Sequence, residues 1–304
     1  NMARVYYKVE DFKRAEQLYD LVPRDSDYWP QSLYEAAYTN FWQGDYNVTL
    51  GQLLTIRSPF FEGRVYVPEA TLLEALTYYN LCEYDRVQNV IKAFKARYEP
   101  LRDTLRGYVK RYDAVAKMPM AQLLMDEKTR QQAVQAYNAV YHPAGQKTPL
   151  SLTPEVFIAV ETLKDFKNLH HHLDMLRQET AALKDNKARW NFGDSLVQKL
   201  EQDEVRLKAQ AGRYMLEQFG RIEKDLSSLL GQADIILFEV VNAQKEEFED
   251  KFRNPEFDET YDKLEQSYAT EARFIYWPFT GEFWKDELGY YRFTERGACR
   301  EKKQ

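Results

Sequence analysis

The chain has 304 residues, a mass of 36.1 kDa and a formal net charge of −6. Its 44% hydrophobic and 30% charged residues are typical of a folded globular protein, and its few glycines (12) and prolines (11) favour long helices. The negative charge argues against nucleic acid as a partner, and the lack of about 18 consecutive apolar residues predicts no transmembrane segment. Two cysteines are too few for a disulfide scaffold or a four-thiolate metal site.

The first residues suggest that the chain lacks its natural N-terminus. Asn1 and Met2 precede a helical pattern that is already established at Ala3. We therefore expect a fragment or a processed form, whose missing part could have carried a signal peptide, a lipid anchor or further structure.

Three segments of the first hundred residues share one pattern of aromatic, turn and acidic residues. Each has aromatic residues, two further residues, a turn residue, an acid, a second aromatic residue, and a small or β-branched residue three positions later. The acids are Asp11, Asp45 and Glu83, at spacings of 34 and 38 residues, so that a four-residue insertion is predicted within residues 58–63. The pattern predicts pairs of antiparallel helices, with the second aromatic residue packed beneath each turn and the small residue allowing close approach.

With these residues, the stretch over residues 3–98 resembles the tetratricopeptide-repeat (TPR) family. The fit is best in the first unit, whereas Thr49, Val87 and Cys82 depart from the family pattern in the other two. The resemblance implies an all-α fold that begins with about three TPR-like repeats in residues 1–98, forming a helical-hairpin solenoid. A generic array of helical hairpins without homology to the family is the alternative.

In the TPR family, the first helix of each repeat lines a groove for peptides or partner proteins. The resemblance places near that groove Tyr7, Lys8, Tyr34, Tyr38, Phe41, Trp42, Leu72, Tyr79 and Asn80. Their aromatic character suits an apolar or extended peptide. The alternative for each of them is packing between neighbouring repeats.

Longer helices are predicted in the rest of the chain. Connecting helices fill residues 99–142, and the Pro- and Gly-containing segment 142–149 is the predicted boundary of the next region. Residues 153–253 predict a long helical hairpin, resembling an antiparallel coiled coil, because Thr153-Pro154-Glu155 is a strong helix start and apolar residues recur every 3.67 positions from Leu207 to Val240. The alternative is an inter-chain coiled coil, which would make the protein a homodimer through its long helices.

The last region, residues 254–304, is predicted to contain one helix and an aromatic segment. Nine of the twenty residues 274–293 are aromatic. This segment either folds back onto the chain or forms a docking surface for a partner protein. Its candidate partner-binding residues are Trp277, Phe279, Phe283, Trp284 and Tyr290.

N-terminal repeats, a long helical middle and this aromatic tail resemble TPR proteins of delta-proteobacterial type, including envelope proteins of gliding-motility machines. The tail pattern runs from Trp277-Pro278-Phe279 through Asp286-Glu287-Leu288-Gly289 and ends near Cys299. The resemblance implies a scaffold that is periplasmic or associated with the outer membrane.

The sequence offers no persuasive catalytic or metal centre. His170, His171 and His172 are adjacent on a predicted helix and cannot converge on one metal, while His170 and Asp174 at i, i+4 predict a surface contact. Glu282 and Asp286 lack the surroundings of a glycosidase pair. Cys82 and Cys299 either pair in an oxidising compartment or remain separate.

These observations favour a non-catalytic protein–protein interaction scaffold that needs no cofactor and no metal. Its expected partners are other proteins, and its expected place is a bacterial cell-envelope assembly. The alternative is a glycan- or peptidoglycan-binding protein that uses the aromatic tail.

Overall fold

The computed structural model describes residues 1–61, 63–141, 152–186 and 192–253. In these ranges 84% of the residues are helical and none is in a strand, so that the prediction of an all-α protein is confirmed. In chain order the helices are α1 (Met2–Lys8), α2 (Phe12–Asp20), α3 (Trp29–Gln43), α4 (Tyr46–Ile56), α5 (Glu69–Asn80), α6 (Tyr84–Arg111), α7 (Asp113–Lys117), α8 (Met120–Met125), α9 (Glu127–Val140), α10 (Pro154–Glu161), α11 (Lys164–Asn186) and α12 (Gly193–Arg253).

The chain divides into two compact units. Among the described residues, unit 1 comprises residues 1–61, 67–95 and 231–253, and unit 2 comprises residues 63–66 and 96–230. Two of the boundaries, after residues 95 and 230, fall inside helices, since α6 and α12 each contribute to both units. Helix α6 also continues through residues 98 and 99, where the sequence predicts the end of the repeats.

Three turns in unit 1 have the same backbone geometry. Glu10, Gly44 and Cys82 adopt left-handed φ angles of 62°, 80° and 59°. At each turn the next residue donates its backbone N–H to a carbonyl five positions earlier, over 3.0 Å at Asp11 and Asp45 and 2.9 Å at Glu83. This arrangement is the Schellman motif that ends helices and satisfies their last carbonyls.

An aromatic pair lies at each of these turns and includes the aromatic residue that follows the acid of the repeated pattern. The three pairs have ring centroids 5.6, 5.7 and 6.0 Å apart and interplanar angles of 57°, 55° and 58°. The pairs are Tyr7–Phe12, Phe41–Tyr46 and Tyr79–Tyr84. Tilted rings at this separation attract one another beyond the area they bury.

The small or β-branched residue of each repeated segment is fully buried. Ala15, Thr49 and Val87 are all 0% exposed. Thr49 also donates its hydroxyl to the carbonyls of Asp45, at 3.0 Å, and Ala37, at 3.3 Å. A hydroxyl is therefore tolerated where the TPR pattern has a small apolar residue, because the adjacent helix α3 supplies an acceptor.

The insertion between the second and third turns lies in the connector before α5. Twelve residues (57–68) join α4 to α5, whereas eight residues (21–28) join α2 to α3. Phe61 of the longer connector is buried and contacts Trp29, with ring centroids 5.6 Å apart.

Polar contacts join the helices of unit 1 at several points. Arg4 of α1 contacts Glu35 of α3 through both carboxylate oxygens, at 2.8 and 2.5 Å. The buried Asn40 of α3 donates to Gln52 of α4 at 3.1 Å, and Arg57 pairs with Glu74.

The last 23 residues of α12 (231–253) belong to unit 1, where the helix packs beside the start of α6. The side-chain amide of Gln88 donates to Gln244 at 3.1 Å, and Lys95 pairs with Asp234. Ala233, Ile236 and Val240 are the buried residues of this part of α12.

Unit 2 is built around the first part of α12. Tyr108 of α6 donates its buried hydroxyl to the Ala136 carbonyl at 2.7 Å and contacts the ring of Phe219 at 5.7 Å. Helices α11 and α12 are antiparallel neighbours, because Arg177 contacts Glu204 at 3.1 Å and the later residue Lys184 contacts the earlier residue Glu201 at 2.7 Å.

The predicted hairpin differs from the structure at its first arm. Helix α10 starts at Pro154, as predicted, but ends at Glu161, and α11 starts at Lys164. Thr162 donates its hydroxyl to the Ala159 carbonyl at 3.3 Å, the local bond by which threonine competes with a continuing helix. The Thr153 hydroxyl, predicted as the helix cap, makes no capping bond, and Glu155 pairs instead with Arg97.

One helix among the described residues passes a length and composition test for a membrane span. It covers Gly193–Glu249, and its best window has a mean hydropathy of 1.3 and is 33% buried. The core helix of a folded domain passes the same test. In this helix Asp234 pairs with Lys95. Six apolar residues near Asp234 in the sequence are buried: Leu226, Leu229, Leu230, Ala233, Ile236 and Val240.

Candidate protein-interaction surface

Five of the predicted groove residues come together on α1 and α3 of unit 1. Tyr7, Tyr34, Tyr38, Phe41 and Trp42 form one continuous set of ring contacts, which we call the aromatic surface. Helical spacing explains the set, because residues three and four apart lie on one side of a helix.

Tyr38 is the centre of the aromatic surface. Its ring centroid lies 6.0 Å from that of Tyr7, 6.2 Å from those of Tyr34 and Trp42, and 6.4 Å from that of Phe41. The interplanar angles range from 27° to 75°, so that both stacked and edge contacts occur. These contacts restrict the rings before any partner binds, which lowers the entropic cost of binding.

Exposure differs strongly within the aromatic surface. Trp42 is 56% exposed, while the other four rings are half-buried. An indole that is fixed by neighbouring rings and still faces water is the kind of side chain that anchors protein interfaces.

Burial favours the neutral form of two tyrosine hydroxyls on this surface, those of Tyr7 and Tyr34. Burial raises the pKa of Tyr34, and the nearby charges of Glu69 and Tyr38 raise it further. Burial also raises the pKa of Tyr7, and the Tyr38 hydroxyl adds to the effect, whereas the nearby Trp42 opposes it. The exposed Lys8 lies on the same helix as Tyr7. The surface is therefore apolar and aromatic, with neutral polar atoms among its rings.

The other predicted groove residues lie apart from this set. Leu72 is 4% exposed and belongs to the core, because α5 turns this side toward its neighbours. Tyr79 forms the turn pair with Tyr84, and Asn80 donates to the Leu76 carbonyl at 2.9 Å. The predicted residues of the tail, Trp277, Phe279, Phe283, Trp284 and Tyr290, lie outside the described residues, as does Cys299.

Sequence reasoning missed the ion pair that fixes the aromatic surface. Arg4 and Glu35 join the two helices that carry it. Burial alone would raise the pKa of Glu35, but hydrogen bonds from Arg4 and Tyr19 outweigh burial and lower it. The partners are 31 residues apart, and no local pattern predicts such a pair.

Unit 2 contains a separate cavity of about 400 Å³ near the predicted His170–Asp174 contact. The imidazole Nε2 of His170 lies 2.7 Å from the Tyr141 hydroxyl and 3.7 Å from an Asp174 oxygen. Burial lowers the pKa of His170, with Asp174 opposing and Arg177 adding to the effect, and burial raises the pKa of Glu161. The lining residues are Ile158, Glu161, Thr162, Phe166, Lys167, His170, His171 and Asp174.

This cavity combines acidic and basic groups without a dominant charge. Within the ranges that the structure describes, no group of three or more His, Cys, Asp or Glu side chains is placed to hold a metal ion. The His170–Asp174 contact that the sequence predicts is present, but sequence reasoning did not identify the second partner, Tyr141, which directly follows α9.

A scan against protein-family models, a search of curated proteins and a search of solved structures each found no match for the chain.

Proposed function

We propose that the chain is a non-catalytic scaffold that binds other proteins through the aromatic surface of unit 1. The observation that carries the proposal is Trp42, which keeps 56% of its surface exposed while its ring contacts Tyr38 and Phe41. Exposed aromatic rings that are held by their neighbours lose little freedom on binding, and they dominate the energetics of many interfaces.

The proposed repeats are of the TPR type. Three turns with the same hydrogen bonds, at spacings of 34 and 38 residues, support this proposal, as do the three aromatic pairs that close them. The aromatic surface lies on the first helices of the first two hairpins, α1 and α3, which carry the ligand groove in TPR proteins. The proposed ligand is an extended peptide with apolar side chains, because the surface offers rings and neutral hydroxyls.

The proposed setting is a bacterial cell-envelope assembly, in which the long helices would hold bound partners at a distance. Helix α12 has 61 residues, which corresponds to a length of about 90 Å. The motility role and the periplasmic or outer-membrane location stay predictions from the resemblance of the sequence. The glycan-binding alternative rests on Trp277 and Trp284, which lie outside the described residues.

Selection from a displayed library of random linear peptides would test the proposal. We expect the full chain to enrich peptides with apolar residues, and Trp42→Ala to bind them about tenfold more weakly or worse. The matched control is Tyr28→Ala, since Tyr28 is 73% exposed and lies outside the aromatic surface. Failure to enrich any peptide, or equal binding by the Trp42 and Tyr28 variants, would contradict the proposal. Thermal unfolding of each variant checks that the fold is retained.

A further inference from the structure

Residues 235–248 of α12 include a row of large apolar side chains that are exposed. Ile235, Phe238, Val241 and Phe248, which we call the apolar stripe, are 62%, 63%, 59% and 69% exposed. At 3.6 residues per turn they fall within an arc of about 140° on one side of the helix. The stripe is distinct from the buried residues Ala233, Ile236 and Val240 that pack inside unit 1.

A helix in water does not ordinarily present such a row without a function. The four side chains expose on the order of 400 Å² of apolar surface, which is comparable to the largest patch on a typical monomer. At roughly 25 cal/mol per Å², covering the stripe would be strongly favourable.

Three observations point to the covering segment. The chain continues for 51 residues beyond Arg253, and the segment 274–293 within that continuation has nine aromatic residues. The 20 residues 254–273 that intervene are long enough, since going back from Arg253 to Ile235 along the helix takes about 27 Å and 20 residues span about 30 Å even when helical.

A second copy of the chain fits the stripe less well. Stable dimers bury at least about 600 Å² on each partner, which exceeds the area of the stripe. The surface beside the stripe also carries Glu239, Glu246 and Glu249, whereas Lys245 is the one basic residue among residues 231–249 of α12. Two parallel copies would bring these acids together, and like charges in contact are unfavourable. A segment tethered to the same helix has, in contrast, a high effective concentration.

We propose that the aromatic segment 274–293 docks on the apolar stripe of α12 in the same chain. The contact covers Phe238 and Val241 with aromatic rings and ties the C-terminal region to unit 1. The proposal is independent of the proposed partner binding at Trp42, because it concerns a different helix and a different set of residues.

Site-specific photo-crosslinking in the full chain tests this proposal. A photoreactive phenylalanine analogue is placed at Phe238 and, as the matched control, at Leu21, which is 75% exposed and lies on another helix connection. We expect the analogue at position 238 to capture peptides from residues 274–293 within monomers, and the analogue at position 21 to leave them uncaptured. Capture of a second copy's α12, equal capture from both positions, or no capture from position 238 would overturn the proposal.

Hydrogen exchange gives a second readout that does not depend on the analogue. We expect amides in residues 274–293 to exchange about tenfold faster in Phe238→Glu than in the unsubstituted chain, because a buried carboxylate would weaken docking. Leu21→Glu should leave their exchange unchanged. The proposal fails if these amides are unprotected in the unsubstituted chain or equally protected in Phe238→Glu.

Discussion

Glu10, Gly44 and Cys82 occupy the same left-handed position in three turns, although only one of them is glycine. A side chain in this conformation crowds the following carbonyl and costs roughly 1–2 kcal/mol. The Schellman hydrogen bonds at each turn offset that cost by satisfying carbonyls that the helix leaves open. The turn therefore depends on backbone geometry more than on residue type, which explains why two of the three lack the glycine that the pattern favours.

A pair of substitutions tests this account of the turns. Glu10→Gly should stabilise the protein by about 0.5–1 kcal/mol, because Glu10 is exposed and only the strain of its φ of 62° is removed. Gly44→Ala should destabilise it by about 1 kcal/mol, since no neighbouring atom lies within 4 Å of the new methyl group and the cost is conformational. Urea unfolding measures both changes, and shifts of the same sign would contradict the explanation.

The carboxyl groups of Glu35 and Glu74 should give unit 1 opposite responses to pH. The bonds from Arg4 and Tyr19 lower the pKa of Glu35, so that its contribution is present above its ordinary pKa and lost as the pH falls through the lowered value. Burial raises the pKa of Glu74, with Arg57 opposing, so that folding is relatively favoured at low pH and this advantage is lost as the pH rises through the raised value.

Urea unfolding of Glu35→Gln and Glu74→Gln between roughly pH 3.5 and pH 7 measures these responses. Glu35→Gln should cost about 1 kcal/mol near neutral pH, a modest value because solvent screens the half-exposed Arg4, and less in acid. Relative to the unsubstituted chain, Glu74→Gln should gain stability as the pH rises. Parallel pH profiles for the two variants would contradict the assignment.

His170 gives unit 2 its own pH dependence. Burial lowers the pKa of His170, so that its neutral form contributes stability above the ordinary value of about 6.5, and this stability is lost as the pH falls. The melting temperature should therefore fall more steeply from pH 7.5 to pH 5.5 in the unsubstituted chain than in His170→Gln. His172→Gln is the control, because His172 is exposed and should keep the original slope. Equal slopes for all three proteins would rule out this role.

At the level of helices, Gly212 lets the backbones of α9 and α12 approach closely. A Cβ atom on Gly212 would lie 2.1 Å from the Ala133 carbonyl oxygen and 3.1 Å from the Tyr137 nitrogen, both backbone atoms. Helix α12 contains four glycines, at positions 193, 212, 220 and 231. Of the last three, only Gly212 is a close contact, since the added Cβ meets an ordinary contact at Gly220 and open space at Gly231.

Alanine substitutions should separate these glycines. Gly212→Ala should destabilise the protein by about 1–3 kcal/mol, because the helix backbones must move apart to admit the methyl group. Gly220→Ala should stabilise it by about 0.5–1 kcal/mol, since the nearest atom, Val109 Cγ1, would lie 3.9 Å away and alanine is the better helix former. Urea unfolding measures the free energy of unfolding of both variants. If Gly212→Ala left this free energy unchanged, α9 would not approach α12 as closely as described.

Periodicity predicts the helices well, and their ends less well. The apolar repeat from Leu207 to Val240 correctly predicts a single long helix, because its step matches the helical period over many turns. The break after Glu161 and the continuation of α6 through Pro100 are not visible in the same pattern. Both depend on local hydrogen bonds and on packing against residues distant in sequence.

For the whole molecule, composition and repeats suffice to predict an all-α chain, but not how it divides into two units. The division interleaves distant segments, as residues 231–253 join residues 1–61 and 67–95. No sequence pattern marks those partners. The aromatic surface is partly predictable, because Tyr38, Phe41 and Trp42 lie in one helix, whereas the contact from Tyr7 depends on how two helices pack.

Unfolding of the full chain should not depend on its concentration. If the aromatic tail covers the apolar stripe, no second copy is needed to complete the fold, whereas a dimer through the long helices would melt higher at higher concentration. We expect the same melting temperature over a roughly hundredfold range of protein concentration. A melting temperature that rises with concentration would instead support the homodimer that the sequence leaves open.

The contact at Gly212 has a consequence for the axial alignment of α12 against α9. A rod with an apolar repeat near the helical period can slide past a neighbour by one turn, about 5.4 Å, and still bury similar side chains. Only a residue without a side chain admits the backbone of α9 at the observed distance. The close contact at Gly212 therefore favours one axial alignment of α9 and α12 over alignments that are shifted by a turn. A side chain at position 212 would leave α12 helical but would remove the preference for one axial alignment with α9.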